Sequence, residues 1–329
     1  MRRRTFLTLG TEGIKASKAT ACDVCLYNKS TQKLLIVKSS DFNLTSYPSS
    51  NYSPVGVVVI PGNHNIYGTG ECAVMSLKLM CWNAPDTGST DNWDLFWGQH
   101  NVVISNLTKF SKVCYVGSNG NVNQTVQGVN DYACLPSDMF TTVQNPYDKD
   151  TYFEYNDDDK YAPSPYNEDD SRNPAYYQTS SPSDAANALS DFDGIGNTEI
   201  LCSLATKQSD WKTVSTITNN SAKGYSPAAC CCWRYHTEGT KQGDWYLPAI
   251  GELGYIMPKL KKINQAISTL ISAYGSTVGV EIDWTNNTHW SSSDHGSSNA
   301  RELSAINGFL DYNSRDSINY HVRAFLRVK

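Results

Sequence analysis

The sharpest hydrophobic pattern lies at the end of the chain, where Tyr320, Val322, Ala324, Leu326 and Val328 alternate with His321, Arg323, Phe325, Arg327 and Lys329. Strand side chains point to opposite faces in turn, so this period of two predicts one long β-strand. A different signature marks Val55-Gly56-Val57-Val58-Val59-Ile60, an unbroken, largely β-branched run expected of a central buried strand and closed by Pro61-Gly62-Asn63. Ala73 to Leu79 follows as another strand. Upstream, Asp23 to Tyr27 and Lys33 to Val37 flank the turn-forming Asn28-Lys29-Ser30-Thr31, which predicts a β-hairpin. Shorter strand candidates run from Thr288 to Ser293 and from Arg301 to Ile306.

Helical spacing is clearest after Leu247-Pro248, where Leu260, Ile263, Ile267, Leu270, Ile271 and Tyr274 form one apolar stripe. Gly275 ends it as a C-cap, and Pro258 predicts a break or restart near Met257. A shorter helix is expected from Ser183 or Asp184, either able to cap it, through Ala185, Ala186 and Ala188 to Leu189. Asp191 to Thr198 reads as the segment that ends it. Residues 1–15 show no period and predict a flexible or partner-docking arm carrying Arg2, Arg3 and Arg4. The division is therefore an arm (1–15), a hairpin segment (16–54) and a large domain (55–329). An acidic, Tyr- and Pro-rich surface insertion interrupts that domain at about 145–180.

Composition narrows what such a chain does. Its 329 residues are enough to bury a substantial core. Charged residues make up 18 % and tyrosine contributes 20 positions beside many Ser, Asn, Asp and Gly, a palette shared by recognition surfaces and by turn-rich β proteins. A formal net charge of -5 provides no clustered cationic footprint, so nucleic acid is not an expected partner. Glu12 and Lys15 interrupt any export-signal apolar core after the arginines, and no stretch is long enough to insert in a membrane. The 10 cysteines are expected as thiols buried like small hydrophobes, Cys230-Cys231-Cys232 included, and the lone Cys22/Cys25 pair lacks a partner pair for zinc. No cofactor is expected. The one place to look for calcium is the acidic loop at 148–170, with Asp157, Asp158, Asp159, Asp169 and Asp170 but no EF-hand spacing.

Three segments in order carry a family resemblance: Gly243-Asp244-Trp245-Tyr246-Leu247-Pro248 with Glu252-Leu253, then His289-Trp290-Ser291-Ser292-Ser293-Asp294, then His321-Val322-Arg323-Ala324-Phe325-Leu326-Arg327-Val328. Together they resemble the C-type lectin fold family that includes formylglycine-generating-enzyme-like domains and the variable proteins of diversity-generating retroelements. More narrowly, they resemble the variable proteins of Bacteroides-type gut phages and prophages. The strands of 55–79 and the segment 191–198 fit the same group, so the resemblance covers most of the chain beyond about residue 16.

The resemblance implies an α+β chain with a C-type lectin fold: mixed, mostly antiparallel sheets, two helices and long loops, preceded by the hairpin. Gly243, Trp245, Trp290 and Pro248 are its expected framework. It also implies a tail or head fibre protein on the virion surface, assembled in the bacterial host cytoplasm, that binds a host cell-surface protein or glycan. A homo-oligomer, specifically a trimer, is expected, with other virion proteins docking through the N-terminus. The ligand surface is expected at solvent-facing Asp294, His295, Ser297, Asn299, Arg301, Asn307, Asp311, Tyr312, Asn313, Arg315, Asp316, Asn319 and His321. Residues 294–321 contain no Lys, Gln, Met or Trp, which fits adenine-directed diversification of Asn codons, with Glu302 outside the pattern. No catalytic residue is expected: every cysteine precedes Trp245, and no Cys/His or Ser/His/Asp set emerges. The alternatives are a formylglycine-generating-type enzyme and a purely structural virion decoration. The Glu-Pro-Asn motif of calcium-dependent sugar binding is absent, with Asp283-Trp284-Thr285-Asn286-Asn287 a distant echo.

Overall fold

The computed structural model describes residues 7, 9–10, 12–63, 67, 70–82, 84–91, 94–98, 112–116, 122–126, 191–203, 226–256, 259–283, 287–295, 298–303, 310–317 and 320–329. The chain is α+β, with mostly antiparallel sheets and few helices. Its main sheet is built from β1 (Val24–Asn28), β2 (Lys33–Val37), β3 (Tyr52–Ile60), β4 (Cys72–Ser76), β7 (Trp245–Tyr246) and β12 (Phe325–Val328). These lie in the order β2-β1-β3-β4-β12-β7, every neighbouring pair antiparallel. The predicted hairpin is thus the edge of the same sheet that holds the last strand. Two further strands, β5 (Lys112–Val116) and β6 (Val122–Val126), pair only with each other.

Both faces of the main sheet are covered. Val24, Leu26, Val57, Val59, Ala73, Met75 and Phe325 point into one apolar cluster, whereas Cys25, Val55, Val58, Cys72, Val74, Leu326 and Val328 point into the other. Burial on both faces explains why Val55 to Ile60 is continuously apolar rather than alternating. The first cluster is closed by α3 (Ile250–Ile256) and α4 (Leu260–Tyr274), whose Leu260, Ile263, Ile267 and Leu270 are buried as the stripe predicts. Gly275 donates its backbone N–H to Ile271 at 2.8 Å and ends α4.

The second cluster is closed by α2 (Pro227–Arg234) and by Trp97 and Trp290. Ser226 caps α2, its side chain accepting from Ala229 N–H at 3.2 Å, with Pro227 where no donor is needed. Cys230, Cys231 and Cys232 are all buried along this helix, and burial raises each thiol well above its ordinary pKa. Cys22, Cys25, Cys72, Cys81, Cys202, Cys230, Cys231 and Cys232 are free thiols.

Three expectations are corrected. Four α-helices occur among the described residues where two are expected, because α1 (Gly194–Ser203) forms in the segment read as a terminator and α2 forms around the cysteines. The helix expected at Ser183 to Leu189 lies outside the described residues. The end of the chain is also not one strand: Tyr320–His321 (β11) belongs to a second sheet, and β12 begins at Phe325. From His321 to Val328 every residue is buried, so the alternation separates two buried layers, not core from solvent. Finally, the described part of the N-terminal arm is laid on the sheet. Leu7 bridges Val328, Leu9 bridges Leu34 and Ile14 bridges Ile36.

Candidate functional site

The second sheet contains β8 (Thr288–His295), β9 (Asn299–Leu303), β10 (Leu310–Ser314) and β11, in the order β10-β9-β8-β11. Its pairs are antiparallel except β11 with β8, which run parallel. This sheet carries the segment that the sequence marks for ligand contact. Its central strand is anchored by two indoles: Trp290 donates from Nε1 to the Leu95 carbonyl at 2.8 Å, and Trp97 from Nε1 to the Ser291 carbonyl at 2.6 Å.

The serines of β8 are wholly buried and act as internal ligands. Ser291 Oγ donates to the Arg301 carbonyl at 2.7 Å, and Ser293 Oγ donates to Asp191 Oδ2 at 2.5 Å while accepting from Ile250 N–H at 2.9 Å. Asn197 Nδ2 bridges Asp191 Oδ2 at 2.9 Å and Ser292 Oγ at 3.1 Å. Asp191 also accepts from Asp193 N–H at 3.1 Å. Burial pushes its carboxyl up to about 6, against these hydrogen bonds, which favour the anion. The network ties α1 and the start of α3 to the back of β8. A fully satisfied buried network of this kind fixes geometry.

The thirteen expected contact residues separate into distinct groups. Asn313 and Asp316 are exposed, and His295 and Asn299 are half-buried. They sit close together, at the paired ends of β8 and β9 and at the turn that follows β10, because β8 pairs His295 with Asn299 and β10 pairs Ser314 with Asn299. Asp311 and Tyr312 lie on β10 opposite Glu302 and Arg301. Ser297, Asn307 and Asn319 lie outside the described residues.

Asp294, Arg301, Arg315 and His321 are buried, which corrects the expectation that they face solvent. Arg315 is fully enclosed: its Nη2 pairs with Asp294 Oδ1, its Nε donates to the Asn299 carbonyl at 3.2 Å, and its guanidinium lies 4.7 Å from the Trp97 ring centroid. The backbone completes the clasp. Arg315 N–H donates to the Ser298 carbonyl at 3.0 Å, and its carbonyl accepts from Gly98 N–H at 3.0 Å. Asp294 and Arg315 therefore hold the ends of β8 and β9 and the turn after β10 together from beneath.

His321 faces His289 edge to face, with ring centroids 5.6 Å apart, and its Nε2 lies 3.6 Å from half-exposed Asp94. Burial drives the His289 pKa well below the usual imidazole range and that of His321 down to about 4, helped by each ring's cationic neighbour Arg323. Both rings are neutral at pH 7. Arg323 is itself buried against the carbonyls of Ser76, Leu77, Val280 and Glu281, at 2.7 to 3.1 Å. Arg327 stacks 3.6 Å from the Tyr67 ring centroid and reaches Glu252, whose Oε1 also accepts from Tyr67 Oη at 2.7 Å and Tyr246 Oη at 2.8 Å. These arginines belong to the frame.

Trp97 carried no sequence signal, and Asp191 and Asn197 were marked only as part of the segment 191–198, not as residues that position the site: each sits more than ninety residues from the serine it holds. Among the described residues no group of three or more His, Cys, Asp or Glu is arranged to hold a metal, and no helix is long and apolar enough to cross a membrane. The acidic loop at 148–170 lies outside the described residues. No family model, curated protein or solved structure matches the chain.

Proposed function

We propose that the chain is a host-recognition protein of a phage particle, with a C-type lectin fold, whose ligand face is carried by the paired strand ends at His295 and Asn299 and by the turn at 313–317. One observation carries the reading: exposed Asn313 and Asp316, beside half-buried His295 and Asn299 at the paired ends of β8 and β9, are held in place by the buried Asp294, Arg315 and Trp97 clasp. A rigid underlayer with polar groups at its rim binds a partner without first ordering a loop, which lowers the entropic cost of association. Substitution at the rim leaves the clasp intact, as a surface subject to diversification requires. The α+β architecture with mostly antiparallel sheets supports the fold assignment. A trimer adds avidity on a cell surface bearing many ligands.

The test replaces His295, Asn299, Asn313 and Asp316 together with alanine. Attachment to the permissive host should fall by about tenfold or more while Tm moves little, since truncating central contacts commonly costs more than 1 kcal/mol in binding. Undiminished attachment to every permissive host would reject the ligand face and leave a decoration role. Arg315 and His321 are unsuitable for this test, because their loss perturbs the frame.

A further inference from the structure

Strand β11 joins the second sheet by its shortest pairing. It runs parallel to β8 over two residues, Tyr320 opposite Thr288 and His321 opposite His289, whereas β8 with β9 and β9 with β10 pair at four and five positions. Tyr320 adds an edge contact to Trp290, ring centroids 4.4 Å apart, and its carbonyl accepts from Leu95 N–H at 2.9 Å. The two histidines thus oppose each other in register across the pairing, both buried, with ring centroids 5.6 Å apart. Neither ring nitrogen of His321 has a hydrogen-bond partner among the described residues, and His289 Nδ1 lies 3.2 Å from the Asn287 carbonyl. Charged groups face the pair from three segments: Asp94, 3.6 Å from His321 Nε2, on the stretch leading to Trp97; Asp283 after α4; and Arg323 between β11 and β12.

We propose that the His289–His321 pair is an acid-sensitive fastener: protonation parts β11 from β8 and loosens the stretch between the Arg315 clasp and His321, which carries Asp316 to the rim. A first proton places a cation in a layer that already holds the Arg323 guanidinium. A second sets two imidazolium rings directly opposite each other. Like charges opposed across a strand pair are destabilising, and burial removes the water that would screen them. Asp94 is the nearest counter-charge, yet it is half-exposed and beyond hydrogen-bond reach of Nε2. Partial burial also raises its own pKa, so its charge fades sooner on acidification than that of a free carboxylate.

Opening returns both rings to water, where imidazole titrates near 6.5. Both are held below that value while β11 is closed, so the closed form is favoured above pH 6.5 and loses its advantage as pH falls toward 4. A two-residue pairing gives way before the doubly covered main sheet, so the opening is local. The fastener itself stands on the second sheet's geometry; its effect on attachment rests on the proposed ligand face.

Amide hydrogen exchange of the full chain is read by mass spectrometry at pH 7.5 and pH 5, with rates corrected for the intrinsic effect of pH. Peptides covering 316–322 should lose protection by about tenfold or more at pH 5, as His321 alone requires for a pKa moved from 6.5 to about 4, while β3 and α4 keep theirs. In the His289→Gln, His321→Gln double variant, protection at 316–322 should be the same at both values. Unchanged wild-type protection, an equal acid loss in the double variant, or a loss shared by β3 and α4 would each overturn the fastener. Should the double variant fail to fold, His321→Gln takes its place: a smaller acid loss than wild type is expected, and an equal loss overturns the proposal. Attachment to the permissive host, measured in parallel, should fall reversibly at pH 5 in the wild type and persist in the Gln variant. Attachment indifferent to an observed opening would overturn the link to the ligand face and leave the fastener standing.

Discussion

Arg315 shows how far a single residue's role departs from its type. In a segment of Asn, Ser, Asp and Tyr it reads as one more contact, yet it is completely enclosed between Asp294 and Trp97. Its value is positional, since removing one member of a buried ion pair leaves the other charge unpaired. Arg315→Ala is therefore expected to cost about 3–5 kcal/mol of folding stability, read by denaturant titration. Lysine should not rescue it, because a point charge cannot serve both the Asp294 carboxylate and the Asn299 carbonyl as the planar fork does. A loss near that of an ordinary surface change, within about 0.5 kcal/mol, would remove the clasp from the account.

At the level of elements, helix α1 is the clearest failure of local reading. Gly194, Gly196, Asn197 and Thr198 are poor helix formers, and Asp193 with glycines following resembles a turn. Tertiary contacts override that preference. Asp193 caps the helix through Gly196 N–H at 3.1 Å, and Gly194 allows α1 to approach Glu252 so closely that an added Cβ would lie 2.4 Å from its Oε2. Gly194→Ala, stabilising in an isolated helix, should here destabilise by roughly 1–3 kcal/mol through overpacking. A raised Tm in that variant would show that the approach is loose. Gly243 is the contrasting case: its turn was legible from the sequence, and it adopts φ 91° while donating to the Trp233 carbonyl at 2.7 Å.

Across the molecule, buried titratable groups pull stability in opposite directions with pH. Asp191, held near 6, keeps a proton that the unfolded chain releases above its model value of 3.8, so it favours folding at low pH and this is lost as pH rises through about 6. His321, held near 4, stays neutral where the unfolded imidazole charges below 6.5, so its stabilising effect is lost as pH falls from 6.5 toward 4. His289 acts in the same direction as His321. Comparing Tm at pH 5 and pH 7.5, His321→Gln should lose less on acidification than the wild type, and Asp191→Asn should lose more. Identical pH responses in all three proteins would contradict the burial of these groups. Asp191→Asn should also be less stable at both values, since both carboxylate oxygens accept hydrogen bonds and an amide offers only one acceptor.

The sequence by itself determined the local elements whose signal is periodic: the β1–β2 hairpin, the doubly covered strand at 55–60, the apolar stripe of α4 and the buried tryptophans at 245 and 290. It also marked out 294–321 as the polar segment to examine. Only the tertiary structure decided that His321, Arg323 and Arg327 are interior and that Ser292 and Ser293 of β8 are hydrogen-bonded to Asn197 and Asp191. It also decided which of the expected contact residues remain at the rim. The physical reason is that a polar side chain is buried only where a partner supplies its hydrogen bond or counter-charge. Those partners lie tens to hundreds of residues away, where no local period records them.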